Sequence, residues 1–135
     1  MSGVTDQAVR EALAATPGLA GAWLFGSRAQ GRARADSDVD VAVLFERPPP
    51  LEVVAELRAR LQEALGMEDV DLVVLDEETP SVLAFEAVSG VPLLVRDPAR
   101  VAAYVSEVAR QREDDLALVR AGLRARAERE ATRAG

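Results

Sequence analysis

Three apolar runs, Leu19 to Phe25, Val39 to Phe45 and Val70 to Leu75, are set between stretches whose apolar residues recur at helical spacing. This interleaving leaves the chain few options. Strands this apolar must pair in a sheet, and helices with one apolar stripe must cover that sheet. The clearest strand is Val39-Asp40-Val41-Ala42-Val43-Leu44-Phe45, which is β-branched and alternating and is stopped by Pro48–Pro50. A shorter strand, Val91 to Arg96, carries Pro92 and belongs at a sheet edge.

The helices read as follows. Val4 to Thr16 places Val9, Ala12 and Leu13 on one side and ends at Pro17-Gly18. Ser27 caps a short helix over Ser27–Gly31, and Arg32 to Ser37 is a polar loop. Val54, Leu57, Leu61 and Leu65 mark a helix that Gly66 ends. Thr79-Pro80-Ser81 opens another, to about Ser89, and Gly90 closes it. Asp97-Pro98 opens the last helix, where Val101, Val105, Val108, Leu116, Val119 and Leu123 form one stripe. That stripe is read first as packing on the sheet and second as a surface for a partner. Past Ala125 the chain is almost wholly Arg, Glu and Ala and is expected to fray. The expectation is a single α/β (α+β) domain over 1–135: a mixed sheet, helices packed on it, a long C-terminal helix and a helical tail over 118–135.

Composition narrows the chemistry. The 135 residues contain no Cys and no His, and neither Lys nor Asn occurs. Thiol chemistry, Ser-His-Asp chemistry, a Walker lysine and Schiff bases are therefore out of reach. Catalysis must rest on carboxylates, Arg, hydroxyls and backbone amides. The net charge of −7 and an aromatic content of 4% argue against a direct nucleic-acid coat. No stretch approaches the length of a spanning helix and no leader is visible. The expected setting is the cytoplasm, with no membrane partner.

The stretch Gly26-Ser27-Arg28 through Asp36-Ser37-Asp38-Val39-Asp40 carries the chemistry. Asp38 and Asp40, two apart at the start of a strand, point to one face about 7 Å from each other. Carboxylates so placed repel unless a cation or proton lies between them, and hydrated Mg²⁺ takes one or two carboxylates plus phosphate oxygens. A strand ending in Gly26 lets a ligand approach the backbone, and the helix after it offers amides to an anion. Ser27 adds a hydroxyl, which also serves as a helix cap. Arg28, beside the turn, is the best placed of the three arginines to meet a phosphate; Arg32 and Arg34 read equally as solvated surface. Asp71 is the only acid inside the third apolar run, and an acid in a buried strand needs a metal or a buried Arg as partner. Three convergent carboxylates suit a two-metal site for phosphoryl-type displacement. Trp23, Phe25 and Tyr104 read as core.

Gly26-Ser27, ten intervening residues, then Asp38-Val39-Asp40, within Gly-Ser-Arg-Ala-x-Gly…Ser-Asp-x-Asp, resembles the signature of the polymerase-β-like nucleotidyltransferase superfamily. The small size is similar to its minimal branch, the MntA-type antitoxins encoded beside HEPN-domain toxins. Val70-Asp71-Leu72-Val73 resembles that family's third-acid strand, and the likeness extends roughly from Leu19 to Tyr104. It implies the nucleotidyltransferase fold and a Mg²⁺-dependent transfer of AMP from ATP to a tyrosine hydroxyl of the partner toxin. Asp38 and Asp40 would then hold two metal ions with Asp71, and Asp71 would also help deprotonate the hydroxyl. Gly26, Ser27 and Arg28 would bind the nucleotide's phosphates. Two other readings stay open: a small-molecule nucleotidyltransferase of the aminoglycoside type, and a non-catalytic module that silences a toxin by occlusion.

Overall fold

The computed structural model describes residues 3–26 and 39–134, with side chains described for 7–26 and 39–133. In chain order the elements are α1 (Gly3–Ala14), β1 (Leu19–Phe25), β2 (Val39–Phe45), α2 (Leu51–Leu65), β3 (Val70–Leu75), α3 (Ser81–Val88), β4 (Val91–Val95) and α4 (Pro98–Ala134). The expected short helix at Ser27–Gly31 and the loop after it lie outside the described residues.

The four strands make one mixed sheet in the order β3-β2-β1-β4. β1 runs antiparallel to both β2 and β4, whereas β2 and β3 are parallel. The crossover that parallel pairing demands is supplied by α2. Every residue of β1 is buried, as is every residue of β2 except the half-buried Asp40, because these strands have neighbours on both sides and helices on both faces. β4 with its proline lies at one edge, as expected. β3 occupies the other edge and is only partly covered.

The two-residue alternation of β2 sorts the core. Val39, Val41, Val43 and Phe45 face α1 and α2, meeting Val9, Leu13, Leu57 and Leu61. Ala42 and Leu44 face the other way, with Trp23 and Phe25, against Ala84 and Ala87 of α3 and Tyr104 and Val108 of α4. Each fully buried Leu or Val contributes about 1.5–3 kcal/mol.

Local signals set the helix ends. Gly66 takes a left-handed φ of 65° and closes α2. Asp97 Oδ1 accepts the backbone N–H of Arg100 at 3.1 Å, capping α4 where Pro98 begins it. Tyr104 donates its hydroxyl to the carbonyl of Asp76 at 2.9 Å, fastening α4 to the end of β3.

One expectation for α4 changes. The apolar stripe packs through Tyr104 and Val108, but Val119 and Leu123 are 57% and 61% exposed. A helix of 37 residues is about 55 Å long and outruns a four-stranded sheet, which sequence spacing alone does not reveal. The helix runs to Ala134 and so takes in the tail expected to be helical, where Ala, Arg and Glu are strong helix formers. Among the described residues no helix is long and apolar enough to cross a membrane.

Candidate functional site

The register of the sheet builds the site. Phe25, the last residue of β1, pairs with Asp40, and Asp40 pairs with Asp71. These three residues form one row across neighbouring strands about 4.8 Å apart, and paired residues share a face. That face carries α3 and α4, since Phe25 and Ala42 belong to the core beneath those helices. Asp40 and Asp71 thus stand side by side at one end of the sheet, each the second residue of its strand.

Gly26 completes this end. Its φ of +78° is a backbone conformation that L side chains rarely adopt. A Cβ there would fall 2.2 Å from Oδ2 of Asp40, so the carboxylate occupies the space that a side chain would fill. The turn after β1 and the acid of β2 are therefore built against each other. Only glycine fits both demands.

The burial expected for Asp71 is not found. Asp71 is exposed, because β3 is an edge strand, so neither a metal nor a buried arginine is required to offset its burial. Its position opposite Asp40 rests instead on parallel pairing, which the sequence does not encode locally. Ser27, Arg28 and Asp38, together with Arg32 and Arg34, lie outside the described residues. Among the described residues no group of three acids is gathered closely enough to hold a metal.

Beside Gly26 opens a cleft of about 440 Å³, lined by Phe25 and Gly26, by the outer face of α3, by the start of β4 and by Arg112 of α4. Sequence reading singled out neither Phe85 nor Arg112. The signal was present in α3. Its buried positions are the small Ala84 and Ala87, while Val82, Phe85, Glu86 and Ser89 recur at i, i+3, i+4 and i+7 on the outer side. Phe85 is 42% exposed and Val82 is 59% exposed. Arg112 follows no local rule; it reaches the cleft because α4 crosses α3. Ser81 at the start of α3 hydrogen-bonds Asp115, and Gln111 donates to the same carboxylate at 3.2 Å.

A carboxylate pair on adjacent strands, beside a glycine turn and a cleft large enough for a nucleotide, can hold divalent ions and a phosphate chain together. A stretch of 51 residues is 47% identical to the protein adenylyltransferase MntA of Thermococcus cleftensis, covering 38% of this chain and 50% of that one. The chain thus spans about half the length of the curated relative it matches. In three dimensions it is similar to a crystal structure described as a toxin-antitoxin with AMP-PNP, at 26% identity and a TM-score of 0.72 over 89% of this chain and 96% of that one. A variant of the MntA-HpeT toxin-antitoxin gives 25% identity and a TM-score of 0.73 over the same shares, 89% and 96%. The tri-AMPylated Shewanella oneidensis HEPN toxin in complex with MNT antitoxin shares the fold, at 24% identity and a TM-score of 0.68 over 93% of this chain and 98% of that one. Residues 7–99 match the family described as polymerase beta, nucleotidyltransferase; they run from within α1 to the first residues of α4 and hold Gly26 with the whole Phe25–Asp40–Asp71 row, and the chain belongs to that family.

Proposed function

We propose that this protein transfers AMP from ATP to a tyrosine hydroxyl of a partner HEPN-type toxin in the cytoplasm, and so acts as the antitoxin of a toxin–antitoxin pair. The single observation that carries the chemistry is the placement of Asp40 opposite Asp71, with Gly26 against Asp40. The choice of AMP and of a toxin as acceptor draws on the relative named as a protein adenylyltransferase and on the toxin-antitoxin neighbours at 25% identity or more.

The donor set suits Mg²⁺. It is made of hard carboxylate oxygens, and the missing side chain at Gly26 leaves room for the carboxylate of Asp40. Asp38, Asp40 and Asp71 would hold two such ions, which when bound supply positive charge against the triphosphate.

The chain's own groups do the rest. Gly26 and Ser27, with Arg28, hold the β- and γ-phosphates through backbone amides, a hydroxyl and a guanidinium. Asp71, exposed at the sheet edge, accepts the phenolic proton of the acceptor. The phenolic oxygen bonds to the α-phosphorus as the bond from that phosphorus to the bridging oxygen breaks, and pyrophosphate leaves with the electron pair. Alignment and electrostatics carry most of such a transfer, so the absence of His is no obstacle.

The test is incubation of the protein and its co-expressed toxin with ATP labelled at the α-phosphate. Label is expected on the toxin and lost with Asp40→Asn or with Phe in place of the acceptor tyrosine. Label on an added aminoglycoside alone would move the activity to small molecules. Tight toxin binding without any transfer would leave a non-catalytic module.

A further inference from the structure

The sheet fixes which side of the site each substrate uses. Read across the strands, the row is Phe25 on β1, with Gly26 just after it, then Asp40, then Asp71 on the open edge. The phosphates belong at Gly26 and the hydroxyl to be deprotonated belongs at Asp71, so nucleotide and acceptor must approach from opposite sides. The 440 Å³ cleft lies on the Gly26 side. We infer that this cleft, between the outer face of α3, the start of β4 and α4, takes the nucleoside triphosphate, with Phe85 as the platform for the base and Arg112 as a phosphate contact. This inference rests on the nucleotidyltransferase reading of the same site and adds two specificity-determining residues to it.

The lining matches such a ligand in kind. Phe85 is 42% exposed, with Val82 and Val91 at 59% and 46%, so an apolar wall stands open beside a polar turn. An aromatic ring open to one side is the usual partner for the π-face of a base. Glu86, in the same wall, offers carboxylate oxygens to ribose hydroxyls or an exocyclic amine. Arg112 is the sole cation lining the cleft among the described residues. Arg60, Arg100, Arg110 and Arg126 are engaged by acids, whereas among the described residues Arg112 has neither ion pair nor hydrogen bond. A guanidinium held half-buried at the mouth of a glycine turn, in a protein of net charge −7, is well suited to a phosphate. The α3–α4 tie through Ser81 and Asp115 holds it there, three residues before the tie.

Calorimetric titration of the full chain tests this, with Mg·ATP as one probe and inorganic tripolyphosphate as the other. Arg112→Ala is expected to weaken both by about tenfold, and Arg112→Lys to recover part of the loss. Phe85→Ala is expected to weaken ATP by about tenfold and leave tripolyphosphate unchanged, a difference that loss of folding cannot mimic. In label transfer to the toxin, the KM for ATP should rise in both variants while that for the acceptor stays put. ATP binding at wild-type strength in both variants would overturn the inference and leave the transfer reading standing. Equal loss of both probes in Phe85→Ala would overturn the base platform. A wild-type chain that neither binds ATP nor transfers label would remove the reading of the site and this inference together.

Discussion

Gly26 and Asp40 meet across the first two strands so closely that a methyl group on Gly26 would lie 2.2 Å from the Asp40 carboxylate. The contact is with the tip of a side chain, not with backbone, so the carboxylate would yield first. Gly26→Ala therefore strikes the chemistry harder than the fold. The left-handed φ of +78° adds a strain of about 1–2 kcal/mol. A displaced ligand group costs on the order of 10²-fold in rate. Melting temperature and initial rate of label transfer, measured together, should show a modest fall in the first and a steep fall in the second. An unchanged rate in a destabilised protein would mean that Asp40 is not held by this turn.

Asp71 offers the converse case. It is exposed on an edge strand, and surface changes of this kind usually shift stability by no more than about 0.5 kcal/mol. Asp71→Asn should thus melt like the wild type. It should lose far more in transfer, about 10²–10⁴-fold, than in affinity for Mg·ATP, because the missing group is the base for the acceptor and only one of three carboxylates that would hold the metal ions. Strong loss of ATP affinity would place the nucleotide over β3.

The two cases also show how far the residues speak for themselves. The elements were legible because each has its own period and punctuation: alternation in Val39 to Phe45, Gly66 after Leu65, Asp97-Pro98 before α4. The edge position of β4 followed from Pro92. Asp71 was found for a reason that fails, since its strand is an edge and its side chain is exposed; the true reason is the parallel register with Asp40, a contact made through a crossover. Long-range pairing of this kind has no local signature. The same holds for Arg112, which enters the cleft only because a 37-residue helix crosses α3, and for the exposure of Val119 and Leu123. Periodicity states that a face is apolar but not where its cover ends.

Tyr104 is the only tyrosine, which makes its titration readable in the intact protein. Burial raises its phenol above the ordinary value of 10.0, and the negative charges of Asp76 and Glu77 add to the rise. Because the folded value lies above the unfolded one, the stability it contributes is complete below the unfolded value and is lost as pH climbs through the folded one. Near-ultraviolet absorbance should show phenolate appearing later than in a model phenol, together with alkaline unfolding. Tyr104→Phe should abolish that component and lower stability by about 0.5–1.5 kcal/mol, since the hydroxyl donates to the Asp76 carbonyl at 2.9 Å. Ordinary phenol titration in the folded protein would contradict the burial of this side chain.

Arg96 closes α1 from a distance. That helix has no basic residue in its last turn; the backbone N–H and hydroxyl of Thr16 reach the carbonyls of Leu13 and Ala12, and further donors must come from elsewhere in the chain. The Arg96 guanidinium, just after β4, supplies them. It donates to the carbonyls of Thr16 at 2.9 Å, Ala14 at 2.5 Å and Leu13 at 3.4 Å. A cation at a helix C-terminus also meets the negative end of the helix dipole. Arg96→Ala should therefore lower stability by about 1–3 kcal/mol in urea unfolding, without a change in the slope of the transition. Arg96→Lys should recover only part of this, because a single ammonium lacks the planar fork that spans three carbonyls. The affinity for Mg·ATP should not move, as α1 packs on the sheet face opposite the carboxylate row. Wild-type stability in Arg96→Ala would show that the end of α1 is satisfied by water instead.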